Sequence, residues 1–401
     1  MHLLLIHQNF PGQFRDLGPA WLAAGHRLTS IGCTPAPSDA TAWDGLEHHQ
    51  YNWPEGHEPT PNERGLAVAQ LCRRIRANGA TPDVVISHSG WGEALNLAGI
   101  WPTTILVVLP ELWGSARALG YGFDPALPNT PTGPDLFEDA NAITAQAIQQ
   151  SQAALVACRS QRASFPAHLR QKITVLPEGL PMERYGSNPQ ARLPLGKRCF
   201  SAGDPLVTLV SRTLEPLRGL RQVLQAWPLV LEQRPDAQLL LVGNPDSSGY
   251  GIEEPQSATH IDDALEMLPL TTDRNSIHLL GVLDHSSLLT LLQCSACHLA
   301  LSYPYTLSWS NLEALACGAP VITNLGSALS YELHDGNQGL LCSFEDVRGL
   351  AELILELLNT PTLRHRLGTA GQSLMQQRFS QEACLKHFDA LLKRLTQVSK
   401  S

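Results

Sequence analysis

Short apolar runs alternate with helix-spaced stretches from the first residues of this chain onward, and that alternation limits the folds open to it. Residues 2–6 read as a buried strand. Residues 13–24 follow as a helix with Phe14, Leu17, Trp21 and Leu22 on one side, and residues 27–31 as a second strand. Strand patterns at residues 83–87, 104–109 and 153–157, with helical stretches near 65–77 and 141–150, continue the series. Continuous apolar strands separated by helices indicate a parallel sheet covered on both faces, a Rossmann-like half.

The segment 177–205, rich in proline and small polar residues, breaks this rhythm and reads as a linker. A second series begins with a strand at 206–210. A helix at 217–233 follows, with Leu220, Val223, Leu224, Trp227, Val230 and Leu231 on one stripe and a possible kink at Pro228. Further strands are expected at 238–242, 276–280, 297–301 and 321–323, and helices fill the chain from 344 to 398. With 401 residues, two domains are the natural division. The expected bounds are 1–190 for an amino-terminal domain and 191–375 for a second. A carboxyl-terminal helix, 376–401, is expected to pack back on the first. The fold class is α/β, with two Rossmann-like domains facing each other across a cleft lined by strand ends, the default ligand site.

Composition excludes several classes. A net charge of −9 argues against nucleic acid as a partner. The start of the chain has too short an apolar run for a signal peptide, and no stretch approaches the roughly 18 apolar residues that span a bilayer. A cytoplasmic protein, either free or peripheral to the membrane, is therefore expected, and its nine irregularly spaced cysteines read as reduced thiols. Cys294-Ser-Ala-Cys297-His298 has the spacing of a haem attachment. That chemistry belongs to exported proteins, and the pattern lies where a helix runs into a buried strand, so no haem site is read. No D-x-D pair, H-E-x-x-H or P-loop sequence occurs, so no metal and no cofactor are expected.

Four stretches carry chemistry. In the first, Ser302 to Gly318, an apolar strand leads through a polar loop with Ser308, Ser310 and Asn311 into a short helix, whose free N–H groups suit a phosphate. Glu313 is expected in the first helical turn; there it either complements the helix dipole or turns toward sugar or ribose hydroxyls. In the second, Ser211 to Gly219, Arg212 and Arg218 leave a strand end together and are placed to clamp a diphosphate, the alternative being surface arginines with one bonded to Glu215. In the third, residues 8–13, Gly12 lets backbone approach a ligand or simply makes a turn. In the fourth, residues 87–92, His88 is a candidate donor to a sugar hydroxyl or leaving oxygen, or a structural histidine.

Taken together, Asn9-Phe-Pro-Gly-Gln-Phe-Arg15, Ser89-Gly-Trp-Gly-Glu93, Gly122-Phe-Asp-Pro125, residues 212–219 and Leu307-Ser-Trp-Ser-Asn-Leu-Glu-Ala-Leu-Ala-Cys-Gly318 resemble a family 4 glycosyltransferase of the GT-B fold. These runs are similar to a bacterial branch with a distinctive amino-terminal domain. The resemblance implies a retaining transferase that takes a nucleotide-diphosphate sugar as co-substrate and transfers the sugar to a hydroxyl of a glycan, lipid-linked or small-molecule acceptor. It implies that Gly12 approaches the donor phosphates, that Arg212 and Arg218 clamp them, and that amides of Ser308, Trp309 and Ser310 complete the cradle. It further implies ribose at Glu313, nucleobase beside the backbone of Leu280 and Val282, and the transferred sugar at His88. The family's paired glutamates are separated by seven residues, and Tyr305 stands where the first belongs, with Ser308 at a position usually glycine. That departure motivates a second reading, a GT-B-shaped nucleotide-sugar-binding or scaffold protein without turnover.

Overall fold

The computed structural model describes residues 1–131, 137–246, 249–251 and 254–398. The chain divides into two compact units. Unit 1 comprises Met1–Gly114, Gly133–Pro181 and Phe379–Ser401, and unit 2 comprises Ser115–Thr132 and Met182–Arg378.

In unit 1 the chain runs β1 (His2–Ile6), α1 (Leu17–Ala23), β2 (Arg27–Gly32), β3 (Glu47–Gln50), α2 (Pro61–Ala77), β4 (Val84–His88) and β5 (Ile105–Leu109). It continues through α3 (Glu138–Gln150), β6 (Ala153–Val156), α4 (Arg159–Ser164), α5 (Ala167–Arg170) and β7 (Ile173–Val175). The seven strands form one parallel sheet in the order β3-β2-β1-β4-β5-β6-β7. Successive strands step away from β1 on one side and then on the other, so the crevice at the carboxyl ends of β1 and β4 is the place where a doubly wound sheet binds ligands. α2 starts well defined: Thr60 and Glu63 form a reciprocal capping box, with Pro61 at the first helical position.

Unit 2 opens with an antiparallel hairpin, β8 (Arg192–Leu195) and β9 (Arg198–Ser201), inside the segment read from sequence as a linker. Pro194 and the exposed arginines suit a two-stranded edge pairing, which carries no apolar run to announce it. There follow β10 (Leu206–Thr213), α6 (Leu220–Gln233), β11 (Gln238–Asn244), α7 (His260–Glu266), β12 (Ile277–Gly281), α8 (His285–Cys294), β13 (Cys297–Leu299), α9 (Trp309–Ala316), β14 (Val321–Asn324), β15 (Leu340–Cys342), α10 (Val347–Asn359) and α11 (Pro361–Leu374). The six main strands are parallel in the order β12-β11-β10-β13-β14-β15, so here the switch point lies between β10 and β13. α6 runs through Pro228, and its stripe of Leu220, Val223, Leu224, Trp227 and Val230 is fully buried. Each such side chain contributes about 1.5–3 kcal/mol by burial. The Trp227 indole donates to Ser276 Oγ at 2.9 Å, which satisfies its one polar atom in the core.

The last helix, α12 (Gln381–Val398), belongs to unit 1, where Phe388 meets Trp21 edge-on at 5.5 Å and Leu391 and Leu392 join the core of β1 and α1. Where sequence reading carried the first domain unbroken to residue 190, packing ends unit 1 at Pro181 and gives Ser115–Thr132 to unit 2. The reason is a buried charge: Asp124 accepts from Arg221 Nη2 at 2.6 Å and from Tyr303 Oη at 2.7 Å. Gly120 lies so close to Tyr303 that a Cβ there would stand 2.4 Å from the ring. Among the described residues no helix is long and apolar enough to cross a membrane. The nine cysteines are free thiols.

Candidate functional site

Each unit gathers reactive side chains at the switch point of its own sheet. In unit 1, His7 follows β1, His88 ends β4, and Glu111 follows β5. His88 is 1% exposed, stacked under Trp91 with ring centroids 4.2 Å apart and beside His7 at 5.0 Å. Its Nδ1 lies 3.9 Å from Glu93 Oε2 and its Nε2 3.6 Å from Glu111 Oε2. Burial opposes charge on His88, but the carboxylates of Glu111 and Glu93 outweigh it and raise its pKa to about 9. His7 goes the other way. Burial, reinforced by the charge of His88, lowers it to about 3, and its Nδ1 accepts from the Asn9 N–H at 3.0 Å, as a neutral imidazole can. The two adjacent histidines are therefore pushed in opposite directions, His88 toward its charged form and His7 toward its neutral one.

Gly12 has a local reason to be glycine. Its φ is +47°, and a Cβ would stand 2.5 Å from the His7 ring. Glu111 is the other departure from ordinary backbone: among the described residues it alone is a non-glycine residue in the left-handed region, at φ +55°.

In unit 2, β10 loses register against β11 between Val210 and Thr213, an irregularity that re-aims Arg212 out of the sheet into an exposed position. Gly243 on β11 permits it, because a Cβ there would lie 2.6 Å from the Ser211 carbonyl oxygen. Arg212 Nη1 donates to Tyr250 Oη at 2.6 Å, with its guanidinium carbon 5.0 Å from that ring's centroid. Arg218 ends the 3-10 turn Pro216–Arg218 and is partly buried, its guanidinium carbon 5.9 Å from the Tyr305 ring centroid. Burial lowers the pKa of Arg218, against the pull of Glu215. The alternative of an arginine hydrogen-bonded to Glu215 is not what the loop does. The Glu215 carboxylate accepts instead from the backbone N–H groups of Tyr250 and Gly251, at 3.2 and 2.8 Å, and ties that loop to the arginines. Tyr250 and Tyr305 lie 5.6 Å apart, and Tyr305 also packs against the core of unit 2.

α9 begins at Ser308, whose side chain makes no cap to the helix but meets Ser310 Oγ at 2.8 Å. Ser310 in turn donates to the Val210 carbonyl at 3.2 Å, holding the helix start at the end of β10. Trp309 is the first helical residue and is half-buried. The expectation that Glu313 lies in the first turn is corrected: it lies one turn further in. Of the candidate caps it is Ser308 that stands at the entry, so the helix begins at Trp309, earlier than a first-turn Glu313 requires. Glu313 is 4% exposed, and its Oε1 accepts from Tyr185 Oη at 3.2 Å and from His285 Nε2 at 3.1 Å. Leu280 and Val282 flank Gly281 at the end of β12, with Val282 76% exposed.

The structure thus brings Arg212, Arg218, Tyr305, Ser308, Ser310 and Glu313 to one switch point, and Gly12 and His88 to the other. Sequence reading missed Tyr250, Tyr185, His285 and Glu111. For Glu111 a signal existed, an acidic residue directly after a buried strand, whereas nothing in the sequence places Tyr185 and His285 beside Glu313. The Cys294-to-His298 pattern is structural: both cysteines and His298 are buried, and His298 Nδ1 pairs with Thr208 Oγ1 at 3.0 Å.

Comparison with known proteins agrees with this layout. The description "Glycosyl transferase family 4 group" matches residues 45–185, and "Glycosyl transferases group 1" matches residues 197–374. Among characterised relatives, a GDP-mannose-dependent monoacylated alpha-(1-6)-phosphatidylinositol monomannoside mannosyltransferase of Corynebacterium glutamicum is 29% identical over 210 residues, 52% of either chain. A D-inositol 3-phosphate glycosyltransferase of Streptomyces coelicolor is 23% identical over 50% of this chain and 45% of that one. The match spans about half the length of these relatives. In fold, the chain superposes on a sucrose-phosphate synthase of Thermosynechococcus elongatus with a TM-score of 0.73 at 18% identity, covering 99% of this chain and 100% of the other. It also superposes on HepE of Anabaena, solved with UDP and glucose, with a TM-score of 0.71 at 15% identity, covering 98% and 100%. With two doubly wound parallel sheets and these two matches in succession, the chain belongs to the family 4 glycosyltransferases of the GT-B fold.

Proposed function

We propose that this protein transfers a sugar from a nucleotide-diphosphate sugar to an acceptor hydroxyl with retention of configuration, using its own cations in place of a metal. The observation that carries the proposal is the switch point of unit 2. There Arg212 and Arg218 stand with the start of α9, whose entry serine makes no side-chain cap, and with Glu313 one turn further in. Guanidinium forks and free helix N–H groups bind phosphate oxygens, and a carboxylate beyond them accepts from ribose hydroxyls. As the glycosidic bond breaks, the diphosphate gains negative charge, and these fixed positive groups stabilise it without reorganising. Loop backbone at Leu280 and Val282 takes the nucleobase. In unit 1, the charge on His88 acts on the sugar side through the groups around it.

The screen that tests the proposal is thermal shift with GDP, UDP and their sugar conjugates, since one relative is named for GDP-mannose and one neighbour was solved with UDP. Mass spectrometry and NMR of the anomeric configuration follow on any hit, with a mixed acceptor library. A product of retained configuration is expected. Inversion, or no stabilisation by any nucleotide, overturns the proposal. Stabilisation without transfer or hydrolysis supports the second reading, a binding protein, which Tyr305 at the first glutamate's place favours.

A further inference from the structure

We propose that Glu111 is a hydroxyl-binding carboxylate of unit 1, one that accepts hydrogen bonds from a carbohydrate hydroxyl of the transfer reaction and is held for that task by His88 and Gln13.

Three observations converge on it. First, His88 is buried, so of this charged group it is Glu111, with 39% of its side chain exposed, that offers the surface a charge. Second, its conformation is imposed from several sides. Gln13 Nε2 donates to Oε1 at 2.9 Å, Oε2 lies 3.6 Å from His88 Nε2, and Gln161 Nε2 donates to the backbone carbonyl at 3.0 Å. Third, the residue adopts φ +55°, a conformation that costs about 1–3 kcal/mol away from glycine and persists only where the surroundings demand it. A turn at this place serves the fold better as glycine; a carboxylate kept there despite the strain serves something outside the fold.

The electrostatics agree with that role. Glu93, fully buried, faces the other nitrogen of His88, so the imidazole is flanked by two carboxylates, which favours its charged form. Burial works to raise the pKa of Glu111, but the His88 cation overrides it and lowers the pKa, leaving Glu111 ionised and acceptor-only. An ionised carboxylate has about four lone-pair sites, more than the hydrogen bond from Gln13 takes up, and a sugar hydroxyl is a neutral donor that needs no counter-charge. The hydroxyl belongs either to the acceptor or to the transferred sugar.

The inference rests on the transferase reading for the class of ligand, and the experiment separates the two. Saturation-transfer NMR with a panel of free hexoses and inositol, in saturating UDP or GDP, is run on the parent, Glu111→Gln and Glu111→Gly. The parent is expected to bind at least one of these. Both variants are expected to weaken that binding about ten- to a hundredfold, as for loss of a charge-assisted hydrogen bond. Nucleoside diphosphate affinity should not change. Glu111→Gln keeps the shape, and Glu111→Gly relieves the backbone, so thermal melting shows both to be folded. Equal binding by parent and variants, or no carbohydrate binding by the parent, overturns the inference. The transferase reading fails on a different result, the absence of any product. Where transfer occurs, a rise in KM for the acceptor assigns the hydroxyl to it, and a rise in KM for the donor assigns it to the transferred sugar.

Discussion

Arg212 Nη1 donates a hydrogen bond to the phenol oxygen of Tyr250 at 2.6 Å while its guanidinium lies over the same ring. The loop bearing that phenol is tied down by Glu215, whose carboxylate accepts from the backbone N–H groups of Tyr250 and Gly251. Arg212 is thus held on Tyr250 by a hydrogen bond and a ring contact. Fixing the side chain beforehand lowers the entropy lost on binding.

The clamp gives the first prediction. Arg212→Ala and Arg218→Ala should each weaken nucleoside diphosphate binding and slow transfer roughly a hundredfold, the effect of losing one charge-stabilising donor. Calorimetry with GDP or UDP and initial rates check it. Transfer at the parental rate by both variants removes the clamp from the mechanism.

Chelation gives the second. The cations on hand are side chains and a helix start, so EDTA should leave transfer within about twofold of its original rate. Loss of activity restored by Mg²⁺ or Mn²⁺ contradicts this.

The parts of the fold legible in the sequence are those whose physics is local. Strands such as Leu3-Leu-Leu-Ile6 and Leu239-Leu-Leu-Val242 are buried on both faces, so they announce themselves as apolar runs. β3, Glu47-His-His-Gln50, is a half-exposed edge strand with no such run, and β8 carries Pro194. β3 takes its partner from β2 across a long loop, whereas β8 turns straight into β9 across Gly196 and Lys197, a short polar hairpin with no apolar run to mark it. Arg212, Arg218 and His88 were legible because each stands at or just past the end of a recognisable strand. Tyr250, Tyr185 and His285 were not, because their roles depend on contacts across dozens of residues; Glu111 also follows a buried strand, but what sets it apart is a backbone angle that composition does not encode.

The third prediction separates the two positions of the family's paired glutamates. Glu313 lies beneath the proposed ribose and already accepts from Tyr185 and His285. Glu313→Ala should therefore weaken the bare nucleoside diphosphate and the sugar donor alike, by about tenfold or more. Tyr305 stacks near Tyr250 and packs on the core, so Tyr305→Phe should leave nucleoside diphosphate affinity unchanged. If its hydroxyl meets the transferred sugar, turnover with the best donor falls. Unchanged turnover assigns Tyr305 to packing alone, and weaker nucleotide binding places it beside the nucleotide instead.

The last prediction concerns pH and follows from the opposed charges of His7 and His88. His88 has its folded pKa raised from 6.5 to about 9, so its contribution to stability is complete below pH 6.5 and is lost as pH rises through 9. His7, lowered to about 3, has the opposite sign: it is buried neutral, so its contribution is present above pH 6.5 and falls away as acid is added, through about pH 3. Between pH 6.5 and 9 only His88 of this pair changes its preference, and the melting temperature should fall across that window. The groups that face His88 are Glu93, Glu111 and His7, with Trp91 stacked on its ring. Glu111→Gln removes one of its two carboxylates and so should shift the decline toward lower pH, while Gln at that place keeps the hydrogen-bonding shape. Melting curves for parent, Glu111→Gln and His88→Ala over pH 5 to 10 check this against other titrating groups. His88→Ala should lose the component altogether, leaving a slope that Glu111→Gln no longer alters. A decline that is identical in all three proteins means that His88 is neutral in the folded state, and the imidazolium beneath Glu111 would have to be given up.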